Sequence, residues 1–363
     1  MRAARFHSKG DIRIEEICSP TDDVRPGSVL VEVEWCGICG SDLHVYKAGS
    51  PISTLPLTLG HEFCGVVKQV PVGSKFTVGD KVIVDPTLTC QNCVPCSHGW
   101  ESQCPGLSFL GLPGGPDGGL GELVTVNEYK LHKLPGNIAL GDAALAEPLA
   151  VGLHAVRSAH VNSQEWGQKT ILLFGAGPVG YAVLENLLAH GACPENIFVS
   201  EPSKRKQRLL KAIGVRLLVS KETGVEGQCL DLTQCMGADI AFICVGVPQA
   251  VGTAMSALRP RGTCINVAFW GSKIELPFVD FFKKEIDFRS SMAYSSEDFR
   301  DTVDMMALGK YRRLAEMVTA RVLLDDVVKH GFEELLKSTD SHLKILVTPK
   351  RSNLLDRDIL ATT

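Results

Sequence analysis

The chain of 363 residues lacks any apolar run of about 18 residues free of charge and turn signals, so no membrane span is expected. Its first twenty residues, M-R-A-A-R-F-H-S-K-G-D-I-R-I-E-E-I-C-S-P, carry charge throughout and hold no apolar core of the secretory kind. An excess of either charge is missing too: 37 Lys and Arg face 41 Asp and Glu, for a formal charge of −4. That balance gives no electrostatic reason to expect nucleic acid or an anionic membrane as partner. Internal repeats and low-complexity tracts are absent. The thirteen cysteines, an odd number, do not form a disulfide framework. Apart from one group they are dispersed, often in apolar runs such as Phe242-Ile243-Cys244, which points to a reducing, cytoplasmic setting.

What is present is an ordinary globular composition, 45% hydrophobic and 21% charged. The length exceeds the roughly 250–300 residues at which a single core stops growing, so two domains are expected. The first 150 residues read as β-rich, with strands expected at Val29–Trp35, Cys64–Val70 and Lys81–Val84 between Gly and Pro punctuation. From 151 to 290 the rhythm becomes strand, helix, strand, which implies βαβ units on a parallel sheet. Strands are expected at Thr170–Phe174, Ile197–Ser200, Asp239–Val245 and Thr263–Phe269, and helices at Gly180–His190, Lys204–Ile213 and Ala250–Leu258. In 291–363 the alternation fades to two helices, Glu297–Leu308 and Asp325–Ser338, a strand Lys344–Val347, and a tail that is either an added helix or disordered.

Cys90, Cys93, Cys96 and Cys104 follow a C-x2-C-x2-C-x7-C spacing. Thiolates that close converge on one tetrahedral ion, and Zn2+ with four sulfurs is the usual occupant of such a closed, structural site. An iron–sulfur cluster is the rival occupant, although the x7 gap departs from the ferredoxin pattern.

The strand expected at Ile171–Phe174 runs into Gly175-Ala176-Gly177-Pro178-Val179-Gly180 and then a helix, the context in which G-x-G-x-x-G binds a dinucleotide. Gly175 permits the tight turn, Gly177 lets backbone approach a pyrophosphate, and Gly180 lets helix pack on strand. Glu201 stands 21 residues past Gly180, at the end of the next strand. A carboxylate there would accept hydrogen bonds from ribose hydroxyls and repel a 2′-phosphate, favouring NAD over NADP. Lys204 and Arg205 follow closely and soften that preference. Val245 is a candidate to flank the nicotinamide, or simply a buried strand residue.

A second group of ligand types lies upstream: Cys39, His44, Gly60-His61-Glu62 and Ala146-Glu147-Pro148. Cysteine, histidine and carboxylate together suit a zinc with three protein ligands and an open position, a Lewis acid. Cys39 and His61 are assigned as ligands, and Glu62 and Glu147 compete for the third place. Asp42 is placed to orient His61. Cys36 reads as a small buried hydrophobe.

These motifs, C-G-I-C-G-S-D-L-H at 36–44, G-H-E at 60–62, the four-cysteine lobe at 90–104, A-E-P-L-A-V at 146–151 and G-A-G-P-V-G at 175–180, resemble the zinc-dependent medium-chain dehydrogenase/reductase (alcohol dehydrogenase) family. The likeness spans residue 1 to about 349. Glu147, where many such enzymes carry a second cysteine, looks like the butanediol and sorbitol branch.

The resemblance implies an α/β protein with a GroES-like catalytic domain over 1–150, a doubly wound Rossmann domain over 151–290, and a return to the catalytic domain over 291–363. It implies a substrate cleft between the domains, catalytic and structural Zn2+, and NAD. Ser41 would be the proton-relay hydroxyl and His44 the group that passes the proton on. The reaction implied is oxidation of a secondary alcohol, vicinal diol or polyol to a ketone. 2,3-Butanediol/acetoin is the first choice of substrate, sorbitol or another polyol the runner-up, and a secondary-metabolite tailoring role a further alternative. A homodimer or homotetramer is expected. The rival class is a dinucleotide-binding protein without catalysis. The loop Gly114-Gly115-Pro116-Asp117 is expected to reshape the substrate cleft.

Overall fold

The computed structural model describes residues 1–50, 55–219, 223–271, 273–338 and 340–354. Among them no helix is long and apolar enough to cross a membrane. The chain divides into two compact units. The first comprises Met1–Glu147, Ser295–Gly309 and the chain from Leu314 onward, and the second comprises Pro148–Tyr294 with Lys310–Arg313.

The first unit is built on a sheet whose central strand is Ser28–Gly37. Val29, Val31 and Val33 are buried by the two-residue alternation of that strand and enter one core with Phe6, Phe63, Val82, Phe332 and Ile345. Strand Glu62–Gln69 pairs antiparallel on one side of it. Strand Lys344–Thr348 pairs on the other, and Val318–Leu323 continues beyond. A hairpin of Arg2–Ser8 and Asp11–Glu16, unsignalled by strong alternation, forms a separate small sheet with Leu57–Thr58.

The second unit is a six-stranded parallel sheet in the spatial order Arg216–Leu218, Ile197–Ser200, Ile171–Phe174, Ala238–Ile243, Leu258–Asn266, Asp287–Ser290. All four residues of Ile171–Phe174 are buried, as a strand covered on both faces requires. The chain winds outward first on one side of that strand and then on the other, which creates a crevice at its carboxyl end.

Two expectations on the elements are corrected. The strand expected to reach Phe269 ends at Asn266, because the amides of Val267 and Ala268 both turn onto the Ile243 carbonyl and Trp270 donates to the Asn266 side chain. The segment expected as one helix over Asp325–Ser338 is a 3-10 turn at Leu324–Asp326, a π turn at Val327–Phe332, and a short α-helix at Glu333–Lys337. Val327 and Phe332, five apart, are both fully buried, and a wide turn puts residues at that spacing on one face. Gly331 in that turn lies so close to Ile38 that a Cβ would stand 2.6 Å from its Cδ1. Of the tail, Arg351–Asn353 forms a 3-10 turn, and the residues from 355 lie outside the described part.

The loop at Gly114–Asp117 is pinned from within. One oxygen of Asp117 accepts from the Arg5 guanidinium at 2.6 Å and from the Thr58 amide at 2.8 Å. The Pro116 carbonyl accepts from the Gly111 amide.

Candidate functional site

The four-cysteine lobe closes on itself. Sγ–Sγ separations are 3.4 Å for Cys93–Cys96, 3.8 Å for Cys93–Cys104 and 3.5 Å for Cys104–Cys90. Four sulfurs at about 2.3 Å from a tetrahedral Zn2+ stand about 3.8 Å apart, so the donor set fits the ion. The short helix Val94–Ser97 and the turn Glu101–Gln103 carry the chain between the ligands. The thiols share protons unequally. An amide hydrogen bond from Asn92, with S–H donation by Cys93 and Cys104, pulls the Cys90 pKa down to about 6. Cys93 is pushed up to about 12: burial and its sulfur neighbours raise it against a lowering contact from the Cys96 amide.

Cys39, His61 and Glu62 bring their ligand atoms within 4.8 Å of one another. Cys39 caps the helix Gly40–Ala48, and Asp42 in the first turn accepts the Cys39 amide at 2.9 Å. The other Asp42 oxygen lies 3.6 Å from His61 Nδ1. Asp42 and His61 are both buried. Asp42 therefore holds the backbone of one ligand and faces the ring of the next, leaving His61 Nε2 to point elsewhere. Ser41 Oγ stands 3.4 Å from that Nε2. Burial opposes a charged ring at His61, but the Asp42 carboxylate and the Cys39 sulfur outweigh it and hold the pKa well above the usual imidazole value. Negative donors that favour a cation at this spot are what a divalent ion requires. The Phe109 ring stands edge-on to His61 at 6.2 Å. Cys36 is buried, its thiol pushed far up by desolvation, and it stands outside the ligand group.

Glu147 opens the helix Ala146–Arg157 and is buried, but it does not join the three clustered ligands. Glu62 has a partner that sequence reasoning missed. The Lys344 ammonium contacts both Glu62 oxygens, at 2.7 and 2.6 Å, and donates to the Ile38 carbonyl. Burial lowers the Lys344 pKa, yet Glu62, Cys39 and Glu147 raise it on balance. His44, three residues past Ser41 on the same helix, is exposed.

In the second unit, Gly175 has φ +82°, and a Cβ there would stand 3.1 Å from Val245 Cβ. A Cβ on Gly180 would stand 2.0 Å from the Gly175 carbonyl, whereas one on Gly177 would meet nothing within 4 Å. The open side at Gly177 is where backbone can approach a ligand, and Gly180 is where helix presses on loop. Pro178 and Val179 begin the helix Pro178–Ala189 behind Gly177 as N-cap. The buried Glu201 carboxylate accepts the Ala176 amide and the Ser203 amide, each at 2.8 Å. All these groups sit at the carboxyl edge of the parallel sheet.

A metal-ligand group with a soft thiolate and a dinucleotide loop on a switch-point sheet define a metal- and nicotinamide-dependent oxidoreductase. Comparison with known proteins agrees. The alcohol dehydrogenase GroES-like domain matches residues 25–136, and the zinc-binding dehydrogenase domain matches residues 178–307. The (R,R)-butanediol dehydrogenase of Neisseria gonorrhoeae is 36% identical, over 96% of this chain and 99% of its own length. D-xylulose reductase A of Aspergillus oryzae is 35% identical over 85% of this chain and 86% of its own. The crystal structure of the 2R,3R-butanediol dehydrogenase of Bacillus subtilis superposes with a TM-score of 0.86 at 36% identity, covering 96% of this chain and 99% of that one. The chain belongs to the zinc-dependent medium-chain dehydrogenase (alcohol dehydrogenase) family, in its butanediol and sorbitol branch, and its cofactors are zinc and a nicotinamide dinucleotide.

Proposed function

We propose that this dehydrogenase interconverts a vicinal diol and its ketone, with (R,R)-2,3-butanediol and acetoin as the substrate pair and NAD as the cofactor. The carrying observation is that Cys39 and His61 bring their ligand atoms together beside the Glu62 carboxylate, all within 4.8 Å. When bound, zinc supplies a Lewis acid for the substrate oxygen and NAD supplies the hydride acceptor. The chain does the rest. Cys39 and His61 grip the metal, with Asp42 fixing the His61 ring. Of the two competing carboxylates, Glu62 lies with Cys39 and His61 but is engaged in a buried ion pair with Lys344, and that pairing favours Glu147 as the third ligand. Ser41 takes the hydroxyl proton and His44, on the exposed side of the same helix, hands it to water. Gly175, Gly177, Pro178, Val179 and Gly180 cradle the pyrophosphate. Glu201 holds the adenosine ribose, and Val245 packs by the nicotinamide. Cys90, Cys93, Cys96 and Cys104 bind a second, structural zinc.

The polyol reading has one support, the D-xylulose reductase relative. The experiment is NAD reduction across butanediol stereoisomers, sorbitol, xylitol and simple secondary alcohols. A kcat/KM for (R,R)-butanediol above all others is expected, and sorbitol in first place would overturn the substrate assignment.

The enzyme is further proposed to be a cytoplasmic homodimer or homotetramer. Thirteen cysteines, all unpaired, suit a reducing compartment. Phe278, Val279, Phe282 and Met292 are exposed near Asp287–Ser290, the strand that ends the six-stranded sheet. Antiparallel pairing of that strand with a second copy about Phe288 would set Asp287 against Arg289, a self-complementary charge pattern.

A further inference from the structure

A cavity lined by cationic side chains lies in the first unit. It has a volume of about 490 Å3 and is lined by Lys75, Phe76, Leu131, His132, Lys133, Pro135, Arg300, Val303 and Asp304. Two parts of the fold make it. Arg300, Val303 and Asp304 fall at i, i+3 and i+4 on the helix Ser296–Ala307, so they share one face. His132 and Lys133 end the strand Leu131–Lys133. Phe76 is buried beneath, with the Lys75 ammonium 5.4 Å and the Lys133 ammonium 5.7 Å from its ring centre. Lys133 is neutralised by Asp80 at 2.8 Å. Lys75 and Arg300 are exposed and make no ion pair among the described residues. Asp304 is the one carboxylate in the lining. The His132 ring lies tilted against Phe299 at 5.1 Å, and desolvation, with the nearby Lys130, Arg300 and Lys75 charges, lowers its pKa against the pull of Asp85.

We propose that this cavity is a binding site for a small multivalent anion, a phosphate ester or a polycarboxylate. Lys75 and Arg300 are its charged anchors, and Phe76 is its apolar floor. Arg300 offers the planar fork that matches either anion, while Lys75 adds a point charge beside the Phe76 ring. A paired cation needs no ligand; two unpaired ones across a concave, aromatic-floored cavity gain from one anion that spans them. No residue of the zinc site takes part.

The test is thermal denaturation of the full-length holoenzyme with saturating NADH, which blocks the phosphate-binding glycine loop. Inorganic phosphate and citrate are titrated at constant ionic strength against chloride. Phosphate, citrate or both should raise Tm by several degrees where chloride does not, and the more effective anion identifies the ligand class. Lys75→Ala/Arg300→Ala should abolish the shift with unchanged kcat, and the milder Arg300→Gln should weaken apparent affinity about tenfold. No shift in the native enzyme, or the same shift in the double variant, overturns the proposal.

Discussion

The Lys344 ammonium stands 2.6 Å from Glu62 Oε2, wholly buried, across a strand position occupied by Gly37. Register explains the meeting. Gly37 pairs with Glu62 on one side and with Leu346 on the other, so the three strands deliver both charges to one edge. A Cβ at position 37 would stand 2.2 Å from Glu62 Oε2 and 3.2 Å from Lys344 Cδ. Glycine is therefore what lets the acid and the base reach each other.

Removing one partner of a buried ion pair leaves an uncompensated charge, at about 3–5 kcal/mol. Lys344→Met should lower the unfolding free energy by that order, measured by urea denaturation. Glu62→Gln/Lys344→Met should recover part of the loss. A Lys344→Met protein as stable as the native one would show that the pair carries little.

The same clasp is the ground on which Glu147 is proposed over Glu62 as the zinc ligand, and two substitutions test it. Glu147→Gln should cost the catalytic zinc, so metal analysis should fall from about two ions per chain to about one. Glu62→Gln should keep both. The reverse pattern would make Glu62 the ligand and Lys344 a partner that lets go.

Much of this was legible in residue order. The glycine loop, the four-cysteine lobe and the Cys39–His61 pair each depend on local spacing or on rare residue types. The ligand atoms of Cys39, His61 and Glu62 lie together, and the helix Lys204–Ile213 begins and ends where it was read, between the Ser203 cap and Gly214. The Lys344 contact was not legible, because it joins positions 282 residues apart through sheet register, which no local pattern encodes. The π turn at Val327–Phe332 escaped for a similar reason: its width answers to the packing of Gly331 on Ile38, not to helical periodicity.

In metal-stripped protein the lobe should show its proton sharing. Cys90 has a folded pKa of about 6 against an ordinary 9.0. The folded value is the lower one, so the stabilisation it brings is full above pH 9, fades as pH falls toward 6, and is lost below. Iodoacetamide should label Cys90 ahead of the exposed Cys18, with a rate midpoint near pH 6, and zinc should suppress it. Labelling of Cys90 no faster than Cys18 at pH 7 would contradict the arrangement.

The ribose contact proposed for Glu201 would come on top of a structural one, and a substitution should separate them. The Glu201 carboxylate ties the Ala176 amide of the glycine loop to the Ser203 amide after the next strand, one oxygen for each. Each oxygen keeps a free lone pair for a ribose hydroxyl. A hydrogen bond to a charged acceptor contributes about 1.5–3 kcal/mol, or roughly ten- to a hundredfold in affinity. Glu201→Ala should therefore raise KM for NAD by at least tenfold with a smaller change in kcat. KM for NADP should hold or fall, since Lys204 and Arg205 remain exposed beside the vacated position to receive a 2′-phosphate. Equal losses with both cofactors would reduce Glu201 to a support for the loop and leave the NAD preference to other groups.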